Sequence, residues 1–400
     1  MKSITITLLV LALCISASIT QAAPQSKPIL ENIFTLELTF GDKDVPDEYL
    51  LVRPLGIAIV NNGDIIVSDE YKLKIFNSDG KPKKIIGRQG QGPGEFEGFP
   101  SPNILENGNI IAIDIFIGKY SIFNTNYSFV ETKNLRNNPL LNNFFKEKGW
   151  GGLLYNSIYP YSSDNIFIYT KSLGPINSNN KRFEYFLILY QKGEKIETVV
   201  ESAQERLEYK GYPLGIPSGG LIYKLLPDKK VVYSETHKDK INENGKWFYI
   251  IYEYDLNTQQ RRVLIKNEYT PVAFPDSILH PEKQRGYKGD DIVARNPSYS
   301  VTRKEMDQKS TELMEKLKVY PGIFSIFYDR DLLFVRTYKF IKNKGWLVDI
   351  FDSTTGKYLR SAYFPFIPVI KDGYAYRSVL SADEFPYIEK YKIDPAIYGK

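Results

Sequence analysis

Two short segments of this chain repeat one pattern 45 residues apart, and this internal repeat limits the folds that the sequence can form. Residues 62–69 (NGDIIVSD) and residues 107–114 (NGNIIAID) each join an Asn-Gly turn to a short strand that is rich in β-branched residues. Asn-Gly accepts the positive φ angles that a tight hairpin turn needs. A period of this length, with several short strands in each unit, is typical of the blades of a β-propeller.

Two kinds of turn recur along the chain, and each kind occurs six times. The turns that precede the second strand of a unit lie at 62–63, 107–108, 163–165, 227–229, 329–331 and 371–373. The polar turns that follow the next strand lie at 77–80, 124–126, 191–193, 255–258, 352–356 and 392–394. Because the two series alternate in register, we predict an all-β fold, a six-bladed β-propeller.

The last unit is one strand short, and a strand near the N-terminus has no unit of its own. Residues 366–370, 374–379 and 387–393 supply only three strands before the chain ends. Apolar and polar side chains alternate over 34–40, which predicts a strand. We predict that this strand completes blade 6 and closes the ring, which would satisfy two sheet edges at once. The alternative is an isolated N-terminal strand.

The first 22 residues have the layout of a secretory signal peptide. Lys2 supplies a positive charge, residues 4–19 are largely apolar, and small residues precede Pro24. We predict cleavage after Ala22, a secreted or periplasmic location, and a single propeller domain over residues 23–400. The apolar stretch is short for a transmembrane helix, so no membrane span is expected.

The composition of the expected mature chain excludes several classes of site. Cys14 is the only cysteine, and Leu13 stands where attachment of a lipid would need a small residue. We therefore expect no disulfide, thiolate metal site or cysteine nucleophile after cleavage. The net charge of +5, with both signs interspersed, does not predict a nucleic-acid surface.

The residues outside the predicted strands gather on one face of the ring. Turns between the first and second strands, and between the third and fourth strands, are short and share the opposite face. The other connections are long, at 134–160, 171–182, 200–220, 235–246 and 267–322. Loops on a rigid scaffold often carry binding residues, so we expect the function on this long-loop face.

The longest insertion, between blades 4 and 5, contains the only clear helix pattern. Thr302 and Glu305 form a capping box. An apolar stripe at helical spacing follows, formed by Met306, Leu313, Met314 and Leu317. The helix is expected either to brace the face or to act as a movable lid over a ligand.

A second loop is rich in aromatic residues that could stack on a sugar or hold a peptide. Trp150, Tyr155, Tyr159 and Tyr161 form this candidate ligand-binding set. His237, in a loop rich in Lys and Asp, is added to it as a further candidate. Packing between blades is the alternative for the aromatic residues, and a surface position is the alternative for the histidine.

The first two blades resemble NHL-type six-bladed propellers. The resemblance rests on residues 54–59, 66–69 and 75–81, and on the junction GRQGQGPGEF at 87–96. It implies a ring with a central channel and a binding face, and no particular reaction. The junction is not a phosphate-binding loop, because no Gly-Lys-Ser/Thr follows it. Its glycines instead suit a tight crossing between blades.

Propellers of this kind include enzymes, and two comparisons with them bear on this chain. Some NHL-like lyases hold a metal with several histidines, whereas this chain has only His237 and His280. Gluconolactonase-like propellers bind calcium or zinc through acidic side chains, for which Asp69 and Asp114 are candidates here. The alternative for both aspartates is a structural hydrogen bond to the neighbouring backbone.

These observations favour an exported, monomeric binding propeller without a cofactor. It would hold a protein, peptide or glycan on its long-loop face, with no nucleic-acid partner. The alternative is a lactonase-like hydrolase or lyase that depends on Ca²⁺ or Zn²⁺ and acts on a small substrate at the central channel.

Overall fold

The computed structural model describes most of the chain after the N-terminal segment. The described residues are 29–114, 117–134, 138–150, 155–162, 165–176, 181–283, 291–296, 299–380 and 385–399. The predicted signal peptide, its cleavage site and Cys14 lie outside them. No helix among the described residues is long and apolar enough to cross a membrane.

Six antiparallel sheets form the blades, which confirms the six-bladed β-propeller. Blade 1 contains β2 (Pro54–Ile59), β3 (Ile65–Asp69), β4 (Lys72–Phe76) and β5 (Pro82–Ile86). Blade 2 contains β6 (Ser101–Ile104), β7 (Ile110–Asp114), β8 (Lys119–Phe123) and β9 (Phe129–Asn134). Blade 3 contains β10 (Tyr155–Ser162), β11 (Asn165–Ile176), β12 (Arg182–Lys192) and β13 (Lys195–Glu205).

The second half of the ring follows the same order with additions. Blade 4 contains β16 (Leu221–Leu226), β17 (Lys230–Glu235), β18 (Lys240–Glu243), β19 (Lys246–Asp255) and β20 (Gln260–Tyr269). Blade 5 contains β23 (Ile323–Asp329), β24 (Leu332–Ile341), β25 (Gly345–Asp352) and β26 (Tyr358–Phe364). Blade 6 contains β27 (Val369–Lys371), β28 (Tyr374–Val379), β29 (Tyr387–Ile393) and the N-terminal β1 (Phe34–Phe40).

The N-terminal strand closes the ring as predicted. It pairs antiparallel with β29, from Phe34 opposite Ile393 to Phe40 opposite Ile388. The chain just before it is also paired, because Leu30 exchanges backbone hydrogen bonds with Ser361 and Tyr363 at the outer strand of blade 5. The N-terminal segment therefore joins blade 5 to blade 6 before it completes the last sheet.

The core lies between the blades, because the second strand of each sheet is covered on both faces. In β3, Ile65 and Val67 pack with side chains of blade 6, whereas Ile66 packs with Ile110 of blade 2. Successive side chains of a strand point to opposite faces, so one strand serves two neighbouring interfaces. This explains why the apolar residues of β3 (65–67) and of β7 (110–113) are consecutive rather than alternating.

The long-loop face carries almost all of the remaining structure. Two hairpins lie there, β14 (Glu208–Tyr209) with β15 (Tyr212–Pro213) and β21 (Ile292–Asn296) with β22 (Tyr299–Thr302). Three helices lie there too, α1 (Pro139–Glu147), α2 (Asp276–Leu279) and α3 (Arg303–Leu317). Parts of the predicted loops are strand instead, since β11, β12 and β13 each extend to 11 or 12 residues.

Helix α3 has the predicted capping box. The Thr302 hydroxyl accepts from the Glu305 amide at 3.2 Å, and the Glu305 carboxylate accepts from the Thr302 amide at 2.8 Å. Met306 is buried against Leu214 and Val301. These are the contacts expected of a helix that braces the long-loop face.

The expectation that this insertion holds the only clear helix is wrong. Helix α1 lies in the crossing from blade 2 to blade 3, where the sequence was interpreted as loop. Asn138 caps it by accepting from the amides of Leu140 and Leu141, at 3.0 and 3.3 Å. Leu141 and Phe145 anchor it on the core between these blades. An Asn-Pro pair at a helix start was the local signal that could have identified it.

Ring closure can be tested at Phe40, the last residue of β1. Its side chain is 5% exposed, and its ring lies 4.9 Å from that of Phe76. Because truncation removes a buried ring and leaves a cavity, we expect Phe40→Ala to lower the free energy of unfolding by about 3–4 kcal/mol in urea titrations. Leu36→Ala, at a position of the same strand that is 50% exposed, should change it by only about 0.5 kcal/mol. Equal losses in the two variants would show that β1 is not a closing strand.

Candidate functional site

A cleft with aromatic walls opens on the long-loop face beside blade 5, with a volume of about 750 Å³. Its aromatic side chains are Tyr320, Phe324, Tyr338, Phe340 and Trp346. The rest of its wall comes from two crossings, at residues 215–217 and at residues between 272 and 278. Every lining residue in the described part of the chain is uncharged. We call this the aromatic cleft.

A long hairpin of blade 5 raises two of these rings above the ring body. Strands β24 and β25 continue past the core, and Phe340 pairs with Trp346 across them at 4.9 Å between ring centroids. Gly345 makes the turn possible with φ of 100°, and a Cβ there would lie 2.1 Å from the Phe364 carbonyl oxygen. The hairpin therefore requires glycine at this position.

Stacked rings attach the ends of the blade 4–5 insertion to blade 5. Tyr320 stacks on Tyr338 at 4.5 Å and contacts Phe274 edge to face at 4.6 Å. Phe324 in turn meets Tyr338 edge to face at 5.1 Å. Burial raises the pKa of Tyr338 to about 12 and also raises that of Tyr320. Both phenols are therefore uncharged at neutral pH.

The cleft exposes more apolar surface than a closed core would. Phe324 is 45% exposed, Phe340 is 53% exposed and Ile278 is 42% exposed. Contiguous apolar surface of this kind on a soluble protein usually marks an interaction site.

A second cavity, of about 670 Å³, lies between the outer strands of blades 4 and 5. Asp349 reaches it from β25 and is 7% exposed. It accepts from the Ser361 hydroxyl at 2.6 Å and from the Tyr249 hydroxyl at 2.9 Å. Burial raises the pKa of this carboxyl, and the two hydroxyl donors offset part of the effect. The Asn267 amide donates to Tyr249 at 3.1 Å and completes the network.

The central channel holds a lysine at its short-turn end. Lys224, on the inner strand β16, lines a space of about 420 Å³ together with residues of blades 1, 2, 5 and 6. Its side chain meets the channel solvent but is enclosed on all sides by the ring, and this enclosure lowers its pKa. Among the residues that the structure describes, no group of three His, Cys, Asp or Glu side chains could hold a metal ion.

The structure does not bring the sequence-predicted ligand residues together. Trp150 is half-buried and stacks on Tyr185 at 4.2 Å, beside the core between blades 2 and 3. His237 faces Phe186, at 6.5 Å between ring centroids. Because Tyr185 and Phe186 are consecutive in β12, the two candidates lie on opposite faces of blade 3. A ligand role for either stays a prediction. Burial lowers the pKa of His237.

Tyr155, Tyr159 and Tyr161 are not in a loop, which corrects the sequence interpretation. They lie on β10, the inner strand of blade 3. Their side chains fall outside the described part of the chain. Pro160 suggested a break in this segment, but an inner strand is an edge strand and tolerates a residue without an N–H donor.

Asp69 and Asp114 accept hydrogen bonds from the backbone of the incoming crossings. Asp69 accepts from the amides of Val52 and Arg53, at 3.0 and 2.5 Å, and pairs with Lys74 at 2.8 Å. Asp114 accepts from the amides of residues 97 and 98, at 2.7 and 3.0 Å. Both aspartates therefore make the structural hydrogen bonds to neighbouring backbone that were the alternative to metal binding. A metal role for either residue stays a prediction.

The residues of the aromatic cleft were missed by sequence reasoning. Phe340 and Trp346 flank the turn KNKG at 342–345, so a pair of aromatic residues around a tight turn was the available signal. Phe324 carried none, because it is the second residue of an ordinary strand that is rich in apolar residues.

The buried carboxyl of Asp349 should make stability depend on pH in a defined direction. The unfolded chain ionises near pH 4, whereas the raised pKa keeps the folded carboxyl protonated to higher pH, so ionisation costs stability as pH rises. Asp349→Asn removes this cost while conserving size. We expect its free energy of unfolding, from urea titrations, to rise relative to that of the wild type as the pH increases above about 4, by about 1.4 kcal/mol for each unit by which the pKa is raised.

Asp352→Asn is the matched control of opposite sign. Hydrogen bonds from Thr355, and a further one from the Thr354 amide, lower the pKa of Asp352. Its carboxylate therefore adds stability above about pH 4, so this variant should fall behind the wild type as pH rises. Parallel pH profiles for the two variants would contradict the assignment.

Comparisons with known proteins agree with the ring architecture. The family model DUF5128, described as a 6-bladed beta-propeller, matches residues 30–207. A search of curated proteins finds no match. A solved member of the DUF4221 family from Bacteroides vulgatus covers 90% of this chain and 98% of its own, at 12% identity and a TM-score of 0.50. That likeness concerns the fold alone.

Two further solved structures are similar at lower scores. A protein of Bacteroides fragilis described as a candidate exported protein covers 92% of this chain and 97% of its own, at 15% identity and a TM-score of 0.44. A catalytically inactive virginiamycin B lyase from Staphylococcus aureus, with quinupristin, covers 90% of this chain and 99% of its own, at 11% identity and a TM-score of 0.37.

Proposed function

We propose that this protein is an exported binding propeller that holds an apolar group of a peptide or protein in the aromatic cleft. The observation that carries the proposal is the cleft itself, a space of about 750 Å³ whose described lining residues include five aromatic side chains and no charged one. Export rests on the signal-peptide pattern of residues 1–22.

The wall composition favours an apolar group over a glycan. Among the lining residues that the structure describes, only Tyr320 and Tyr338 carry a side-chain hydroxyl. A sugar needs several convergent polar groups to replace the water on its hydroxyls, whereas an apolar side chain needs mainly area. Covering the exposed parts of Phe324 and Phe340 would contribute about 25 cal/mol for each Å² removed from water.

The cleft is also built before a ligand arrives. Its rings are fixed by cross-strand pairing at Phe340 and Trp346, and by stacking at Tyr320 and Tyr338. Binding therefore loses little free energy in ordering the side chains of the wall, which is the usual advantage of a preformed site. Tyrosine and tryptophan are also the residues that most often dominate binding energy at interfaces.

The neutral fluorescent probe N-phenyl-1-naphthylamine tests the cleft directly. In a background with Trp150→Phe and Trp247→Phe, Trp346 is the only tryptophan, so energy transfer from it locates the bound probe. We expect transfer in this background, and about a tenfold weaker Kd when Phe340→Ala is added, which corresponds to about 1.4 kcal/mol.

Phe129→Ala is the matched control for this experiment. Phe129 is 42% exposed on β9 of blade 2, so it is as accessible as the cleft rings but belongs to a different blade. Its replacement should leave the Kd unchanged. If the probe shows no transfer from Trp346, or if both phenylalanine variants weaken binding equally, the cleft is not the binding site.

A further inference from the structure

Arg336 is a buried cation directly behind the wall of the aromatic cleft. It lies on β24 and is 3% exposed. Its guanidinium carbon is 3.9 Å from the centroid of the Phe324 ring and 5.1 Å from that of Trp346. Both rings line the cleft. The guanidinium is therefore in contact with the same side chains that a ligand would touch.

This guanidinium has no anionic partner within the described part of the chain. Arg336 forms no hydrogen bond or ion pair there, and its Nε and Nη1 atoms are buried without an acceptor. A guanidinium presents five N–H donors and stays charged at any physiological pH. Ring faces attract the cation but accept none of its in-plane hydrogen bonds.

The other buried cations among the described residues do have oxygen acceptors. Lys74, which is 4% exposed, lies 2.8 Å from the Asp69 carboxylate. Lys119, which is 6% exposed, is within 3.5 Å of the carbonyl oxygens of Gln91 and Gly92. Because a buried charge without hydrogen bonds is costly, such groups normally keep a partner. Arg336 departs from this rule beside the aromatic cleft, where a ligand could supply the partner.

We propose that the aromatic cleft takes an apolar organic anion, and that Arg336 recognises its anionic group. The aromatic or aliphatic body of the ligand would cover Phe324, Phe340 and Trp346, and a carboxylate or sulfonate would accept from the guanidinium edge, an arrangement that can be bidentate. The inference rests on the proposed function of the cleft and adds the charge of its ligand.

Two dyes that differ mainly in charge test the inference. 1-Anilinonaphthalene-8-sulfonate carries a sulfonate, and N-phenyl-1-naphthylamine has the same rings without it. We expect the wild type to bind the sulfonate at least tenfold more tightly. Arg336→Met should abolish that preference and leave the Kd of the neutral dye within twofold. Arg336→Lys, which conserves the charge but not the planar fork, should keep part of the preference.

Arg261→Met is the matched control. Arg261 lies 3.9 Å from the Tyr252 ring centroid on blade 4, so it is also an arginine over an aromatic ring, but that ring does not line the cleft. Its replacement should leave both Kd values unchanged. Removing an unpaired buried charge should not destabilise the ligand-free protein, so the melting temperature of Arg336→Met should equal or exceed that of the wild type.

The possible failures are distinguishable. If the neutral dye binds and responds to Phe340→Ala but Arg336→Met leaves the dye preference unchanged, only the charge assignment is overturned. If Arg336→Met lowers the melting temperature and weakens both dyes equally, Arg336 is a structural residue and the inference is wrong. If neither dye binds the wild type, the proposed function fails and the inference fails with it.

Discussion

The pairing of β1 with β29 is the interaction on which the rest of the structure depends. Without it, blade 6 would expose the edge of β29, and the interface between blades 6 and 1 would lose one side. That interface contains Phe40 of the closing strand together with Ile65, Tyr376 and Ile388. A propeller has no central core of its own, so each blade is stable only between two neighbours. Closure by residues distant in sequence converts six marginal sheets into one ring.

The asymmetry of the two faces follows from the same connectivity. The turns on the opposite face need only a few residues, whereas the connections between the second and third strands lie on the long-loop face and are extended in blades 3, 4 and 5. A crossing leaves the outer strand of one blade and returns at the inner strand of the next, so it can lengthen without breaking a ladder. The helices and extra hairpins accordingly lie in crossings, and the aromatic cleft forms where two crossings meet the blade 5 hairpin.

Features specified by neighbouring residues could be predicted, and features specified by distant contacts could not. The Asn-Gly turns, the alternation over Phe34–Phe40 and the capping box at Thr302 are local patterns, and the structure has all three. The aromatic cleft has no such signature, because its wall joins residues near 216, 275 and 340. The missing partner of Arg336 is likewise a property of packing. Trp150, which belongs to the aromatic cluster that the sequence did offer, stacks on Tyr185 beside the core between blades 2 and 3.

The middle and the ends of the insertion between blades 4 and 5 have different structural roles. Helix α3, in the middle, is anchored on neighbouring crossings and lines neither the aromatic cleft nor the Asp349 cavity. Val272 and Tyr338 line both spaces, so the start of the insertion and the blade 5 hairpin form a shared wall. The Arg336 guanidinium lies beside the aromatic cleft. In the other space, the Asp349 carboxyl accepts from the hydroxyls of Tyr249 and Ser361. The residues that follow the helix, Val319 and Tyr320, pair with the backbone of Val272 and Ala273 and so fix the wall between the two spaces.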